Sequence, residues 1–143
     1  MTVKPIIAGL VLGSGLALAL NAGAATQSHM PPEHKAGAIT YLSGGVGQDQ
    51  ADAIRHAAPS YPLELEFVAK AKPKDEFLAA VKVRIMNAHD KMVLDTTSDG
   101  PFLLARLPAG KYKVSAEHDG KTEHRTVDIV AHEHRRVVFE WKS

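Results

Sequence analysis

The sequence lacks cysteine: none of its 143 residues carries a thiol. The chain therefore cannot form a disulfide bond, use a cysteine nucleophile or build a cysteine-ligated structural zinc site. Its fold must be stabilised by side-chain packing and by strand pairing.

An excess of charge of one sign is also missing. The chain has 17 basic and 16 acidic residues, a net charge of +1, and the two signs are interspersed along its length. A nucleic-acid site needs a basic stripe, and an anionic membrane surface attracts a polybasic cluster. Neither is present, so we expect no nucleic-acid partner.

Motifs of nucleophilic catalysis are absent as well. The sequence has no Gly-x-Ser-x-Gly elbow, and its serines have no telling neighbours. The acidic residues are scattered over segments in which they alternate with apolar residues, and solvation is their ordinary role there. We therefore predict no catalytic residue, no cofactor-binding residue, no cofactor and no enzymatic activity.

A glycine-rich run precedes the one predicted helix. Residues 43–47 read SGGVG, and a helix N-terminus behind such a loop can bind phosphate. The run lacks the Gly-Lys-Ser/Thr ending of a P-loop and the strand–helix–strand context of a dinucleotide fold. We interpret it as a flexible turn, or as a turn whose glycines adopt positive φ.

The N-terminus has the features of a cleaved export signal. Lys4 provides a positive charge, Ile6–Leu20 is apolar apart from glycine and one serine, and Ala22–Ala24 offers the small residues that a signal peptidase requires. The alternative is a membrane anchor, but a run of about 15 residues is shorter than the ~20 that span a bilayer. We predict a signal peptide at residues 1–24, no membrane span after cleavage, and a periplasmic or secreted location.

The rest of the chain divides into an arm and one domain. Residues 25–37 are polar, contain two adjacent prolines and show no periodicity, which is typical of a flexible arm. Residues 38–143 form the single domain. Within it, residues 38–42 have the composition of a short strand, and residues 48–58 have helical periodicity that ends at Pro59.

Apolar and polar residues alternate in most of the chain from Tyr61 onward. Tyr112, Val114 and Ala116, for example, alternate with lysine, serine and glutamate, as expected of strands with one buried and one wet face. Seven such segments follow one another at hairpin spacing: residues 63–67, 81–85, 92–97, 102–107, 111–118, 122–130 and 135–141. We predict a mainly β fold, a seven-stranded sandwich with one short helix near its N-terminus.

Four short motifs stand out between residues 80 and 141. They are Val81-x-Val83, Asp99-Gly100-x-Phe102, Leu107-Pro108-Ala109-Gly110-x-Tyr112-x-Val114 and Asp119-Gly120. Together they resemble the carboxypeptidase regulatory-like domains, a family that includes short exported bacterial proteins. The resemblance implies a transthyretin-like (prealbumin) β-sandwich in which Gly110 permits a tight turn while Tyr112 and Val114 fill the core. It implies no catalytic residue, because the family carries none on these motifs.

The parity of the last strand assigns its aromatic residues. Phe139 and Trp141 share a face with Val137, so we predict that all three lie in the core. The other predicted core residues are Val81, Val83, Tyr112 and Val114. The alternative, an exposed aromatic platform for a sugar, is not favoured because the chain has a single tryptophan.

Histidine is more frequent than usual, with eight residues in the chain. His29 and His34 lie in the predicted arm, and His132 and His134 flank Glu133 before the last strand. Residues i and i+2 of a strand share a face, so a His-x-His pair can chelate Cu²⁺ or Zn²⁺. Structural metal sites use four ligands, however, and neither pair has an evident third ligand. We predict no metal-ligating residue.

These features favour a non-catalytic accessory or binding domain of the cell envelope, with an unidentified protein or small molecule as its partner. The alternative is a periplasmic metal-handling protein that uses the histidine pairs for copper or zinc. Fold class alone does not decide between the two, because one fold hosts many functions.

Export predicts a shortened mature chain. We expect protein recovered from a periplasmic extract to begin at Ala25 or Thr26, because the small residues at positions 22 and 24 place the cut directly after them. Intact mass and N-terminal sequencing measure the cleavage point. A full-length species retained in the inner membrane would contradict the prediction.

Overall fold

The computed structural model describes residues 29–142, which form a mainly β fold with one short helix. The predicted signal peptide, residues 1–24, lies outside the described residues, as does the beginning of the predicted arm. No helix between residues 29 and 142 is long and apolar enough to cross a membrane.

The described part of the chain contains ten strands and one α-helix, α1 (Gln48–Ala57), which is followed by a 3-10 turn (Ala58–Ser60). The strands are β1 (His34–Ala36), β2 (Ile39–Gly44), β3 (Leu63–Lys70), β4 (Glu76–Phe77), β5 (Lys82–Met86), β6 (Met92–Thr97), β7 (Phe102–Arg106), β8 (Gly110–His118), β9 (Lys121–Ile129) and β10 (Arg135–Lys142).

The predicted count of seven strands is wrong, because residues 29–142 contain ten. One of the additional strands, β2, occupies the short strand expected at residues 38–42. The other two, β1 and β4, have three and two residues, which is too short for alternation to be visible in the sequence. β1 falls inside the segment predicted as an arm and is held in place by pairing with β2.

The first sheet has the strand order β1, β2, β7, β3, β10, and β4 pairs with the end of β3. All of its strand pairs are antiparallel except β3–β10, which is parallel. That pair runs in register from Leu63 opposite Arg135 to Lys70 opposite Lys142. The first sheet therefore joins the first long strand of the domain to its last.

The second sheet has the strand order β6, β5, β8, β9 and is antiparallel throughout. The turn between β8 and β9 consists of Asp119 and Gly120, and both residues have positive φ, as tight hairpin turns require. β6 and β9 form the two edges of this sheet.

The two sheets share one core. The first sheet contributes Leu63, Leu65, Phe67, Leu103, Ala105 and Phe139, and the second contributes Val83, Ile85, Leu94, Val114, Ala116 and Val127. The predicted core residues Val81, Val83, Tyr112, Val114, Phe139 and Trp141 are all buried in it, and Val137 packs against it. This part of the prediction is confirmed. Trp141 also donates its indole N–H to the carbonyl of Lys121 at 3.0 Å, which ties β10 to the edge of the second sheet.

The helix α1 covers the outer face of the first sheet. Its buried residues Ala51 and Ile54 pack against Leu42 and Leu104 in a second, smaller apolar cluster. The predicted position near the N-terminus needs correction, since two strands precede α1 among the described residues. The order has a physical reason: the apolar face of α1 packs on the surface that β2 and β7 provide.

The glycine-rich run at residues 43–47 makes a close backbone contact. A Cβ atom on Gly100 would lie 2.4 Å from the carbonyl carbon and oxygen of Gly44. Gly45 has a φ of +101°, and a Cβ atom there would lie 2.4 Å from the ring of Phe102. The glycines therefore allow β2 to pass directly against the connection between β6 and β7.

Gly100→Ala is expected to destabilise the fold by about 2–3 kcal/mol, because the added methyl group overlaps main-chain atoms. Gly37→Ala is the control: its Cβ atom would meet nothing within 4 Å, and its left-handed φ alone costs about 1 kcal/mol. Urea unfolding of both variants measures the two losses. Equal losses would show that close packing at Gly100 is not the constraint.

Candidate functional site

A cleft opens at one end of the two-sheet arrangement. Three parts of the chain meet there: the β1–β2 turn, the β5–β6 turn and the connection from β7 to β8. The cleft has a volume of about 440 Å³, which lies within the range of small-ligand sites. It is lined by the apolar residues Ala36, Ala38, Ile39, Met92, Val93 and Pro108, by Gly37, and by Asn87, Lys91 and Tyr112.

Two tight turns form facing walls of the cleft. In the turn Ala36–Ile39 only two residues connect β1 to β2, and Gly37 has the positive φ, +61°, that such a turn needs. In the β5–β6 turn the Asn87 side chain orders the main chain. Its Oδ1 accepts hydrogen bonds from the N–H groups of His89 at 2.9 Å and Lys91 at 3.0 Å. Because hydrogen bonds and backbone geometry set both walls, the cleft is preformed.

Tyr112 connects the cleft to the core. Its hydroxyl donates to the carbonyl oxygen of Pro108 at 2.7 Å. Burial raises the pKa of Tyr112, so the phenol stays neutral and keeps donating at neutral pH. Tyr112 therefore presents an aromatic ring to the cleft, while its hydroxyl proton is already donated to the Pro108 carbonyl.

The outer face of β3 carries buried charge. The side chains of Glu64 and Glu66 are only 7% and 9% exposed. The expectation that acidic residues of the strands lie on wet faces is wrong for these two. Arg136 on β10 contacts both carboxylates: its guanidinium lies 3.8 Å from Glu64 and hydrogen-bonds to Glu66. We call these three residues and His134 the buried polar cluster.

His134 uses both of its ring nitrogens within the buried polar cluster. Nδ1 lies 2.7 Å from the carbonyl oxygen of Tyr61, and Nε2 lies 2.8 Å from Oε2 of Glu64. A carbonyl oxygen only accepts, so Nδ1 carries a proton and donates it. The hydrogen bond between Nε2 and the Glu64 carboxylate then requires one further proton, which belongs to one of these two groups. With both nitrogens hydrogen-bonded, the imidazole cannot act on a substrate or bind a metal without breaking one of these contacts.

The side chain of Tyr61 extends this row of polar contacts. Its hydroxyl donates to Glu33, and the guanidinium of Arg106 lies over its ring, 4.2 Å from the ring centroid. Burial raises the pKa of Tyr61, and the hydrogen bond and negative charge of Glu33 raise it further, against the opposing effect of Arg106. The neutral phenol therefore ties the chain before β1 to the chain before β3.

The four histidines considered as metal ligands have different environments. His29 and His132 are exposed, and His34 lies on β1 with its ring 5.5 Å from that of Tyr41. His134 is held in the buried polar cluster. Among residues 29–142, no three histidine, aspartate or glutamate side chains lie close enough together to hold a metal ion.

Sequence reasoning did not find the cleft or the buried polar cluster. The cleft residues come from three turns that are distant in the chain, and each turn has an ordinary composition. The one available signal for the cluster was the position of Glu64 and Glu66 inside an otherwise apolar strand. That signal was interpreted as alternation between a buried and a wet face.

No protein-family model matches the sequence, and no curated protein matches it at a significant level. The geometry and chemistry of this chain are therefore the basis for its proposed function.

Arg136→Met is expected to destabilise the protein by about 1–2 kcal/mol, because two buried carboxylates lose a shared cation that is itself about half exposed. Arg135→Met is the matched control on the same strand. Arg135 pairs with Glu133 at 3.8 Å, and both side chains are about half exposed, so its loss should cost less than about 0.5 kcal/mol. Denaturant unfolding compares the two variants.

A triple variant separates charge from packing. Adding Glu64→Gln and Glu66→Gln to Arg136→Met removes the two carboxylates that have lost Arg136, so part of the lost stability should return. If the triple variant is no more stable than Arg136→Met, the buried carboxylate charge is not what destabilises Arg136→Met.

Proposed function

We propose that this protein is a non-catalytic binding module of the cell envelope whose ligand occupies the cleft between the β1–β2 and β5–β6 turns. The observation that carries the proposal is the cleft itself, a preformed opening of about 440 Å³ with a mostly apolar lining. Pockets of this size and character bind small molecules.

Binding without turnover is supported by the chemistry of the groups present. Within residues 29–142, the lining of the cleft includes no carboxylate, histidine or serine. Tyr112, the hydroxyl group among them, already donates its proton to Pro108. The imidazole–carboxylate pair of His134 and Glu64 has both ring nitrogens occupied. This chemistry suits recognition better than proton transfer or nucleophilic attack.

The proposed module is a prealbumin-like β-sandwich of the carboxypeptidase regulatory-like type. In support, the two sheets share a core, and Tyr112 and Val114 are buried in it as the resemblance implies. The export features of residues 1–24 support a periplasmic or secreted location. There the ligand would be a small molecule or an exposed group of an envelope protein.

NMR titration of the purified, isotope-labelled protein tests the proposal. The probes are 4-phenylbutan-1-ol and 4-phenylbutyrate, which share an apolar ring and chain. We expect at least one of them to shift the amide signals of Ile39, Met92 and Tyr112. The Kd should be on the order of 1 mM, as expected for about 12 non-hydrogen atoms at roughly 0.3 kcal/mol each.

Two variants control for location. Ala38→Phe fills the cleft from an exposed position and should abolish the shifts. Ala79→Phe is its match, also exposed, in the connection before β5 at the far end of that strand, and it should leave the shifts unchanged. If neither probe shifts the cleft signals of the unmodified protein, the proposal fails.

The metal-handling alternative predicts a different result. Calorimetric titration with Cu²⁺ or Zn²⁺ would show tight one-to-one binding. That binding would be lost when alanine replaces His132 and His134, or His29 and His34. The hydrogen bonds of His134 speak against the first pair, since a metal would have to displace Tyr61 or Glu64 from its ring.

A further inference from the structure

The charged and amide side chains of the cleft present hydrogen-bond donors to a ligand. The Asn87 side-chain oxygen is occupied by the N–H groups of His89 and Lys91, and an NH₂ group cannot accept those bonds. The orientation of the amide is therefore fixed, and its NH₂ group is the part that remains available. Lys91 adds an exposed ammonium group, which only donates.

The charge that lines the cleft is positive. In the part of the chain that the structure describes, its lining contains Lys91 and no carboxylate. The neighbouring acidic residue, Asp90, has its carboxylate on Lys113 at 3.0 Å, on the outer face of the second sheet. Within residues 29–142, Lys91 itself forms no ion pair. The cleft thus combines an apolar lining with one uncompensated cation.

We propose that the ligand of the cleft is a small organic anion, with a carboxylate at Lys91 and Asn87 and an apolar body against Ile39, Val93 and Pro108. This inference rests on the proposed function of the cleft. A carboxylate accepts hydrogen bonds from both donors, and the bond from the ammonium is charge-assisted. The apolar body leaves water for the apolar lining, which is the larger part of the site. A cationic ligand would instead face Lys91 with charge of its own sign.

The two probes named above differ only at their polar end. 4-Phenylbutyrate ends in a carboxylate, and 4-phenylbutan-1-ol ends in a neutral hydroxymethyl group. We expect the carboxylate to bind about three- to tenfold more tightly at neutral pH, as a partly exposed charge-assisted contact allows. High salt should narrow this preference, because the contact is open to solvent. NMR titration of the same cleft signals measures both affinities.

Two substitutions locate the preference. Lys91→Met should lower the affinity for the carboxylate to that for the alcohol, while Lys82→Met, at the far end of β5, should leave the preference intact. Asn87→Asp keeps an oxygen for the two main-chain N–H groups, so the turn is preserved, but it replaces the available donor with a negative charge. We expect it to abolish carboxylate binding and to retain alcohol binding.

The outcomes separate this inference from the proposed function. If neither probe binds, the cleft is not a ligand site. If both bind equally, or the alcohol binds more tightly, the cleft is a ligand site but the preference for an anion is refuted. An equal effect of Lys82→Met and Lys91→Met would also refute it, because the preference would then reflect overall charge.

Discussion

The parallel pairing of β3 with β10 is the contact on which the two-sheet arrangement depends. These strands come from distant parts of the domain, and eight residues of each pair in register. The chain from β4 to β9 is therefore one long connection that returns to the strand from which it started, as parallel pairing requires. The pairing also brings Phe67 against Phe139 and Trp141, with ring centroids 6.0 and 6.4 Å apart. The pairing that completes the first sheet therefore also packs aromatic residues of the core.

The pairing of β3 with β10 also supplies partners for the buried carboxylates of Glu64 and Glu66 on β3. The apolar residues of this strand face the second sheet, and its glutamates lie on the face against which α1 packs. A strand inside a sheet that is covered on both faces has no wet side. Glu64 and Glu66 have hydrogen-bonding and ion-pair partners there because β10 places Arg136 opposite Glu64, and His134 comes just before β10. Charge is neutralised across strands that only the finished sheet brings together.

Local alternation was sufficient to predict the four strands that form the second sheet. β5, β6, β8 and β9 lie within one residue, at each end, of the segments expected from the sequence, because each has strong apolar parity and short turns. Local alternation did not predict the features that depend on contacts between segments distant in the chain. Alternation shows which side chains share a face of β3, but not that His134 and Arg136 pack against the polar one. Asn87 looks like any turn residue until the β1–β2 turn faces it across the cleft. His134 resembled a metal ligand because its partner Glu64 is remote in the chain.

The exposed edge of the second sheet has a consequence for how this chain behaves among copies of itself. Among the strands within residues 29–142, β9 pairs on one side only, and an unpaired strand edge is a template on which another chain can add. β9 carries the charged residues Lys121, Glu123, Arg125 and Asp128. The guanidinium of Arg125 lies 5.3 Å from the ring centroid of Phe139. An incoming strand would have to dehydrate these charges and compete with the indole of Trp141 for the Lys121 carbonyl. The charged side chains of β9 and the hydrogen bond between Trp141 and Lys121 therefore oppose edge-to-edge association into fibrils.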